Sequence, residues 1–345
     1  MKLDPKLAQS IVDRMMHQIP YNINMMDESG TIIASGDKER IGSLHLGAVN
    51  AIHAGHALIM QQSYGEHGQP GVNMPVFYNR QIIGVIGITG TPDKVEPLAS
   101  LLSTATELLI SQASSDEARK RYESRVNRFL YQWIQVTGPI DQQTTLLLEA
   151  EQLKINIQIP RIAIALQAKD FSFVKKDNDD YQLLTSLNTL IILTSHDTTV
   201  QRMVKLAQAH HTSIGIGTKT AQIGTSVQEA MTALKIRNVL KDDQLVRFDQ
   251  VQFTNALLTA RIDVEQTKET LRKLTRTEMG EGLLETLGQY IKDNGNMVQA
   301  AENLHIHRNT LNYRLQRLAD TTHLDPKNTV ELFQLYVAWL YLQFE

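Results

Sequence analysis

The chain of 345 residues is predicted to be an α+β multidomain protein: an N-terminal α/β module, one long helix, a second α/β module and an all-α C-terminal segment. Three observations predict this. Short apolar runs bounded by turn residues recur through the first hundred residues and again between about 161 and 218. From Val95 to about Gln135 the chain has no internal glycine and a single proline, Pro97, near the start. Beyond Asn294 the apolar spacing becomes helical, with leucines three and four apart.

In the first module, Leu7, Ile11 and Met15 share one side of a helix that Pro20 ends. Tyr21 to Met26 alternates as a strand, Asp27-Glu28-Ser29-Gly30 turns, and Thr31 to Ala34 returns as its hairpin partner. Ser35-Gly36-Asp37 opens a loop or helix start, Leu44 to His53 is helical, Ala57 to Met60 is strand-like, and Ser63 to Gly71 is loop. Met74 to Tyr78 and Gln81 to Thr89 form a second hairpin about Asn79-Arg80. Hairpin, helices, hairpin around one sheet is the order of PAS-like ligand sensors, an order many α+β domains share.

Two glycine-bearing segments in this module suit an anionic ligand. Gly36 and Gly71 allow close backbone approach, and Ser35 with neighbouring amides offers donors to a carboxylate. Arg40 and His45 supply positive charge, the arginine fork bonding both carboxylate oxygens at once. Asn73 and the main chain from Gly71 suit a second carboxylate or sugar hydroxyls.

The residues from Val95 to about Gln135 form the long helix, a lever between sensor and effector that is expected to pair with its twin in a dimer; Gly138-Pro139 ends it. In the second module, Arg161 to Gln167, Leu190 to Thr194 and His211 to Thr218 are strand-like, and a helix follows over residues 226–240.

The C-terminal segment carries the clearest chemistry. Gly295-Asn296 supplies a break and an N-cap, so a helix starts near Met297, with Val298, Ala301 and Leu304 as its apolar stripe. His305-Ile306-His307 turns, Ile306 being inward. From Arg308 to Leu318 a second helix is anchored by Leu311, Leu315 and Leu318, while Asn309, Asn312, Tyr313, Gln316 and Arg317 project, and Arg308 and Arg314 flank the stripe. Those eleven residues hold three arginines and no acid on a chain of formal net charge −3. Asn and Gln bond bidentately to adenine and Arg to guanine, so this arc fits a major groove. A last apolar helix runs through Leu332, Leu335, Tyr336, Trp339, Leu340 and Leu342.

The run HRNTLNYRLQRL at His307 to Leu318 resembles the hallmark of PucR-type helix-turn-helix regulators, over about the last sixty-five residues. The resemblance implies DNA contacts at Arg308, Asn309, Thr310, Asn312, Tyr313, Arg314 and Arg317. The blocks MDESGTIIASGDKERIG, GVNMPV and IIGVIGITG, within Leu3 to Ser111, resemble the sugar-diacid recognition domain of carbohydrate diacid regulators. That resemblance implies an effector such as glycerate, glucarate or galactarate, held by Ser35, Gly36, Arg40, His45, Gly71, Val72, Asn73 and Pro75. The second module resembles the degenerate GGDEF-like domain that precedes such helix-turn-helices, without the glycine-glycine turn and acids that a cyclase needs. The resulting division is 1–112 PAS-like sugar-acid sensor, 113–138 linker helix, 139–250 degenerate GGDEF-like domain and 251–345 helix-turn-helix domain.

Composition narrows the classes. A hydrophobic content of 42% supports packed cores. With no cysteine there is no disulfide, thiol nucleophile or Cys-ligated zinc. No segment approaches ~20 uninterrupted apolar residues, and the N-terminus lacks a signal-peptide pattern, so a cytoplasmic protein without membrane contact is expected. His45, His53, His56 and His67 lack a convincing carboxylate spacing, and no metal or other cofactor is expected. The competing expectation is an enzyme acting on a small hydroxy acid, with His45 and Asp37 or Glu39 as acid and base; no nucleophile elbow or phosphate loop supports it. The preferred expectation is a regulator, an activator by preference, with double-stranded DNA, a sugar-acid effector and a second copy of itself as partners.

Overall fold

The computed structural model describes residues 3–63, 69–177, 179–186, 188–244 and 246–345. It divides into two compact units, Met1–Ser124 and Arg125–Glu345. The expected loop from Ser63 to Gly71 falls partly, and His67 wholly, outside the described residues.

The first unit opens with α1 (Pro5–Met16), capped by Asp4, whose side chain accepts from the Leu7 amide. Its buried face is Ala8, Ile11 and Val12, with Leu7 and Met15 half-buried beside them. Then come β1 (Ile23–Met26), β2 (Ile32–Ser35), α2 (Leu46–Ala54), β3 (Leu58–Met60), β4 (Gly71–Tyr78), β5 (Gln81–Thr89) and the first part of α3 (Pro92–Trp133). The strands form one antiparallel sheet in the order β2-β1-β5-β4-β3. The hairpin between β4 and β5 turns where expected. Asn79 and Arg80 both have positive φ, 50° and 65°, matching the sign at both central positions of a type I′ turn.

Strand alternation gives the sheet two different faces. Ile23, Met25, Val72, Ile86 and Ile88 join α1 and the α3 residues Val95, Ala99, Leu102 and Ile110 in the main core. On the other face Met26, Ile32 and Val85 pack against Ala48 and Ala51 of α2. That second face also carries the polar residues described below.

The second unit continues α3 through the buried Phe129, Leu130 and Trp133. From Ser111 to Arg128 no residue of α3 is buried. Next are α4 (Thr144–Leu153), β6 (Ile162–Gln167), β7 (Tyr181–Ser186), β8 (Thr189–Thr194), α5 (Asp197–Ala209), β9 (Ser213–Ile216) and α6 (Ile223–Leu240). Their sheet is antiparallel, in the order β7-β8-β6-β9. The edge strand β7 was not expected from sequence, because only Leu183 of its six residues is buried and no alternation is visible.

Six helices complete this unit: α7 (Phe248–Thr259), α8 (Glu265–Leu274), α9 (Glu278–Lys292), α10 (Met297–Asn303), α11 (Arg308–Thr322) and α12 (Thr329–Gln343). Leu335 and Leu340 of α12 are sealed among Leu257, Leu271, Leu287 and Leu318. No described helix is long and apolar enough to cross a membrane.

A polar row under α2 and an exposed reading helix

Two sites emerge, one in each unit. In the first, the register of four strands aligns Ser35 with Asn24, Asn24 with Gly87, and Gly87 with Asn73. Directly opposed residues of an antiparallel sheet share a face, so these side chains form a row on the side covered by α2. The row spans three inter-strand gaps, roughly 14 Å. Ser35, Asn24 and Asn73 are all at least 97% buried, with exposures of 0%, 2% and 3%.

One end of the row is satisfied. Ser35 Oγ donates to Asn24 Oδ1 at 2.6 Å and accepts from the Asp37 amide at 3.0 Å, and Asn22 Nδ2 donates to the same Asn24 oxygen at 3.2 Å. The other end is not. Among the described residues, Asn73 Nδ2 has only the weak acceptor Met60 Sδ, at 3.3 Å, and Asn73 Oδ1 has no partner. A buried unpaired amide oxygen costs about 1–3 kcal/mol, so it marks a place where a donor belongs.

Glycines put no side chain against this end. A Cβ on Gly87 would lie 3.0 Å from Asn73 Oδ1, and one on Gly47 would lie 2.6 Å from Asn73 Nδ2 and 2.4 Å from Met60 Sδ. His45, 5% exposed, caps α2: its Nδ1 accepts from the Ala48 amide at 3.2 Å. Arg40, in a short 3₁₀ turn capped by Asp37, makes no ion pair among the described residues. Burial, and after it the Arg40 guanidinium, hold the His45 pKa below its ordinary value.

The eight sensor residues expected from sequence therefore separate. Ser35 and Asn73 stand in the row, His45 caps the α2 helix that covers its face, Arg40 lies in the 3₁₀ turn before that helix, and Pro75 shares the Asn73 face two residues along β4. Val72 points the other way, into the main core. Gly36 faces α1, since a Cβ there would meet Met16 Sδ. Gly71 lies against its neighbour strand, where a Cβ would come within 2.1 Å of the Ile88 carbonyl oxygen. Asn24, Gly47 and Gly87 were missed, and only the strand register and the approach of α2 reveal them.

The lowered pKa of His45 gives a pH prediction. The unfolded state takes up the proton near the ordinary value and the folded state only at lower pH, so stability falls as pH drops through that window. Protonation would also place a proton on the nitrogen that accepts from Ala48. The first unit is expected to melt at a lower temperature at pH 5.5 than at pH 7.5. His45→Asn, which caps without titrating there, should flatten that dependence in a calorimetric pH series. An unchanged slope in His45→Asn assigns the effect to other groups.

The second site is α11. Leu311, Leu315 and Leu318 are buried at 0%, 1% and 0% exposure, so the predicted leucine anchor exists. Asn296 caps α10 by accepting from the Val298 and Gln299 amides, and His305, in left-handed backbone at φ 54°, makes the turn. The apolar stripe of α10 is rotated from expectation: Val298 is 53% exposed, while Ala300 and Ala301 are buried against Leu311 and Leu315. Helix α11 runs four residues beyond the expected end, to Thr322.

Arg308, Asn309, Thr310, Asn312, Tyr313 and Arg317 are all exposed on α11. Arg314 differs. It is half-buried and turned to α9, its Nη1 donating to Thr286 Oγ1 at 3.2 Å and to the Gly282 carbonyl at 3.5 Å. Its place in the fold is a brace between α9 and α11.

A helix that shows amides, guanidinium groups and a phenol to solvent over a leucine anchor is the reading element of a helix-turn-helix DNA-binding protein. Residues 283–340 match the family described as "PucR C-terminal helix-turn-helix domain", and residues 3–133 the one described as "Putative sugar diacid recognition". The chain is 28% identical to the carbohydrate diacid regulator of Escherichia coli (strain K12), over 97% of both chains. It is 25% identical to the DNA-binding transcriptional activator AdeR of Bacillus subtilis (strain 168), over 77% of this chain and 71% of that one. The proline-responsive transcriptional activator PutR of the same organism is 28% identical over 36% of this chain and 33% of its own. The chain is a helix-turn-helix DNA-binding regulator rather than an enzyme, and the pairing of these two matched regions is similar to that of a carbohydrate diacid regulator.

Proposed function

We propose that this regulator is an activator that senses a small sugar acid and controls genes for its uptake or breakdown. The observation that carries the proposal is the buried Asn73 oxygen, without a partner among the described residues, in a glycine-lined row of amides beside His45, whose pKa the Arg40 guanidinium helps to lower. Amides and a hydroxyl suit sugar hydroxyls, and an arginine with no ion pair among the described residues suits a carboxylate. The E. coli relative, a carbohydrate diacid regulator, supports acids of the glucarate, galactarate or glycerate type; two Bacillus subtilis relatives, both activators, support activation.

The order β2-β1-β5-β4-β3 supports a PAS-like first domain, and the four-stranded sheet with α4, α5 and α6 supports a degenerate GGDEF-like spacer. The regulator acts in the cytoplasm as a homodimer. Effector binding shifts the population of α3 arrangements, and so the spacing of two copies of α11 on double-stranded DNA. A coupling of about 1–3 kcal/mol between the sites suffices.

A thermal-shift screen of two- to six-carbon hydroxy acids tests the sensor, because a ligand that binds only the folded state raises its stability. Arg40→Ala is expected to weaken the response of the best acid at least tenfold while operator binding without effector stays within about twofold. Equal loss of both, or no acid that shifts the melt, overturns the sensor assignment. A mobility-shift assay on the chain's own upstream region tests the DNA reading.

A further inference from the structure

We propose that Asn312 and Lys327 act together as a guanine-reading pair, an inference that rests on α11 being the DNA-reading helix. Lys327 lies outside α11, in the turn before α12, yet its Nζ donates to Asn312 Oδ1 at 2.8 Å. An ammonium has only protons to give, so the amide edge facing it is the carbonyl. That fixes which way Asn312 points.

The turn that presents Lys327 is tightly built. Pro326 is buried, the Lys327 amide donates to Asp325 Oδ1 at 2.9 Å, and the Asn328 amide to the Asp325 carbonyl at 3.0 Å. Asn328 then caps α12, accepting from the Val330 and Glu331 amides. Lys327 and Asn312 are themselves exposed, so the pair stands on the solvent side of α11.

Its chemistry differs from that of a free asparagine. Adenine offers the major groove one acceptor, N7, and one donor, the N6 amine, which a free amide matches with its NH₂ and its carbonyl. With one lone pair of the carbonyl taken by Lys327 and the ammonium standing against that edge, a base amine approaching there meets a cation, and the donors of Asn312 are the edge left to a base. The remaining ammonium protons of Lys327 lie beside them. Two neighbouring donors complement guanine, whose N7 and O6 both accept, and they oppose the N6 amine of adenine. Gln316 is polarised in the opposite sense: its Nε2 donates to Asp320 Oδ1 at 3.1 Å, which leaves an outward acceptor. Asn309 has no side-chain hydrogen bond among the described residues and keeps both functions.

The test is selection of randomised duplexes by the full-length protein and its variants. Wild type is expected to prefer guanine over adenine roughly tenfold at one operator position, and Asn312→Ala to lose preference there. Lys327→Met frees the Asn312 carbonyl and should reverse the preference at that same position toward adenine. Adenine already preferred by wild type there overturns the pair. So does Lys327→Met with unchanged base preference and a salt dependence reduced by about one ion, which assigns Lys327 to a phosphate. If wild type selects no duplex at all, the DNA-reading assignment falls and this inference with it.

Discussion

Leu315→Ala is expected to abolish operator binding while the effector response of the first unit survives. Leu315 is 1% exposed and packs with Tyr290, Ala300, Ala301 and Leu311, between α11 and the helices that support it. Truncating a leucine in such a site costs about 2–5 kcal/mol, the lost transfer energy plus the cavity left behind. Whole domains are stable by only about 5–15 kcal/mol, so the loss is large for a small cluster at one end of the chain. The reading helix then frays or shifts, and base contacts that need ångström placement go with it. Two measurements separate this from loss of contact chemistry. Calorimetry of the full chain should show the C-terminal helices melting earlier, and a mobility shift should show no complex. Arg317→Ala supplies the contrast: an exposed contact, it should weaken DNA binding and reduce the salt slope by about one with the melt unchanged. Wild-type operator affinity in Leu315→Ala would mean that α11 does not read DNA. Arg314→Ala should behave like a mild Leu315→Ala, since it removes a brace to Thr286 and Gly282.

The reading helix was legible in the sequence because its pattern is local. Leucines at 311, 315 and 318 lie on one side at 100° per residue, and everything opposite them must face solvent. Even Arg314 follows from that geometry: it lies at the edge of the leucine stripe and so meets the neighbouring helix. The sensor site was legible only in part, for two physical reasons. A block such as GVNMPV is contiguous, but a strand sends Val72 and Asn73 to opposite faces, so naming the block overcounts the side chains that can reach a ligand. Asn24 meets Gly87, more than sixty positions further on, and through it Asn73, only by inter-strand register, and no local spacing carries that information. The strand β7 escaped because an edge strand with one buried residue lacks the alternation that marks strands.

Gly47→Ala isolates ligand binding from folding. Its new methyl would lie 2.4 Å from Met60 Sδ and 2.6 Å from Asn73 Nδ2, both closer than carbon normally approaches, and 3.2 Å from His45 Cε1. Met60 can swing aside; Asn73, 3% exposed, has little room. Overpacking of this kind costs about 1–3 kcal/mol. Against it, alanine is favoured over glycine inside a helix by about 1 kcal/mol, and Gly47 is the second residue of α2. The two effects nearly cancel, so the melting temperature without effector should move by only a few degrees. The methyl nevertheless presses on Asn73, and the stabilisation by the best-binding sugar acid should disappear. Gly47→Val, with two further methyl groups, should lose both the response and about 2 kcal/mol or more of stability. An undiminished effector-induced shift in Gly47→Ala would move the binding site away from the Asn73 end of the row, toward the satisfied cluster of Ser35 and Asn24.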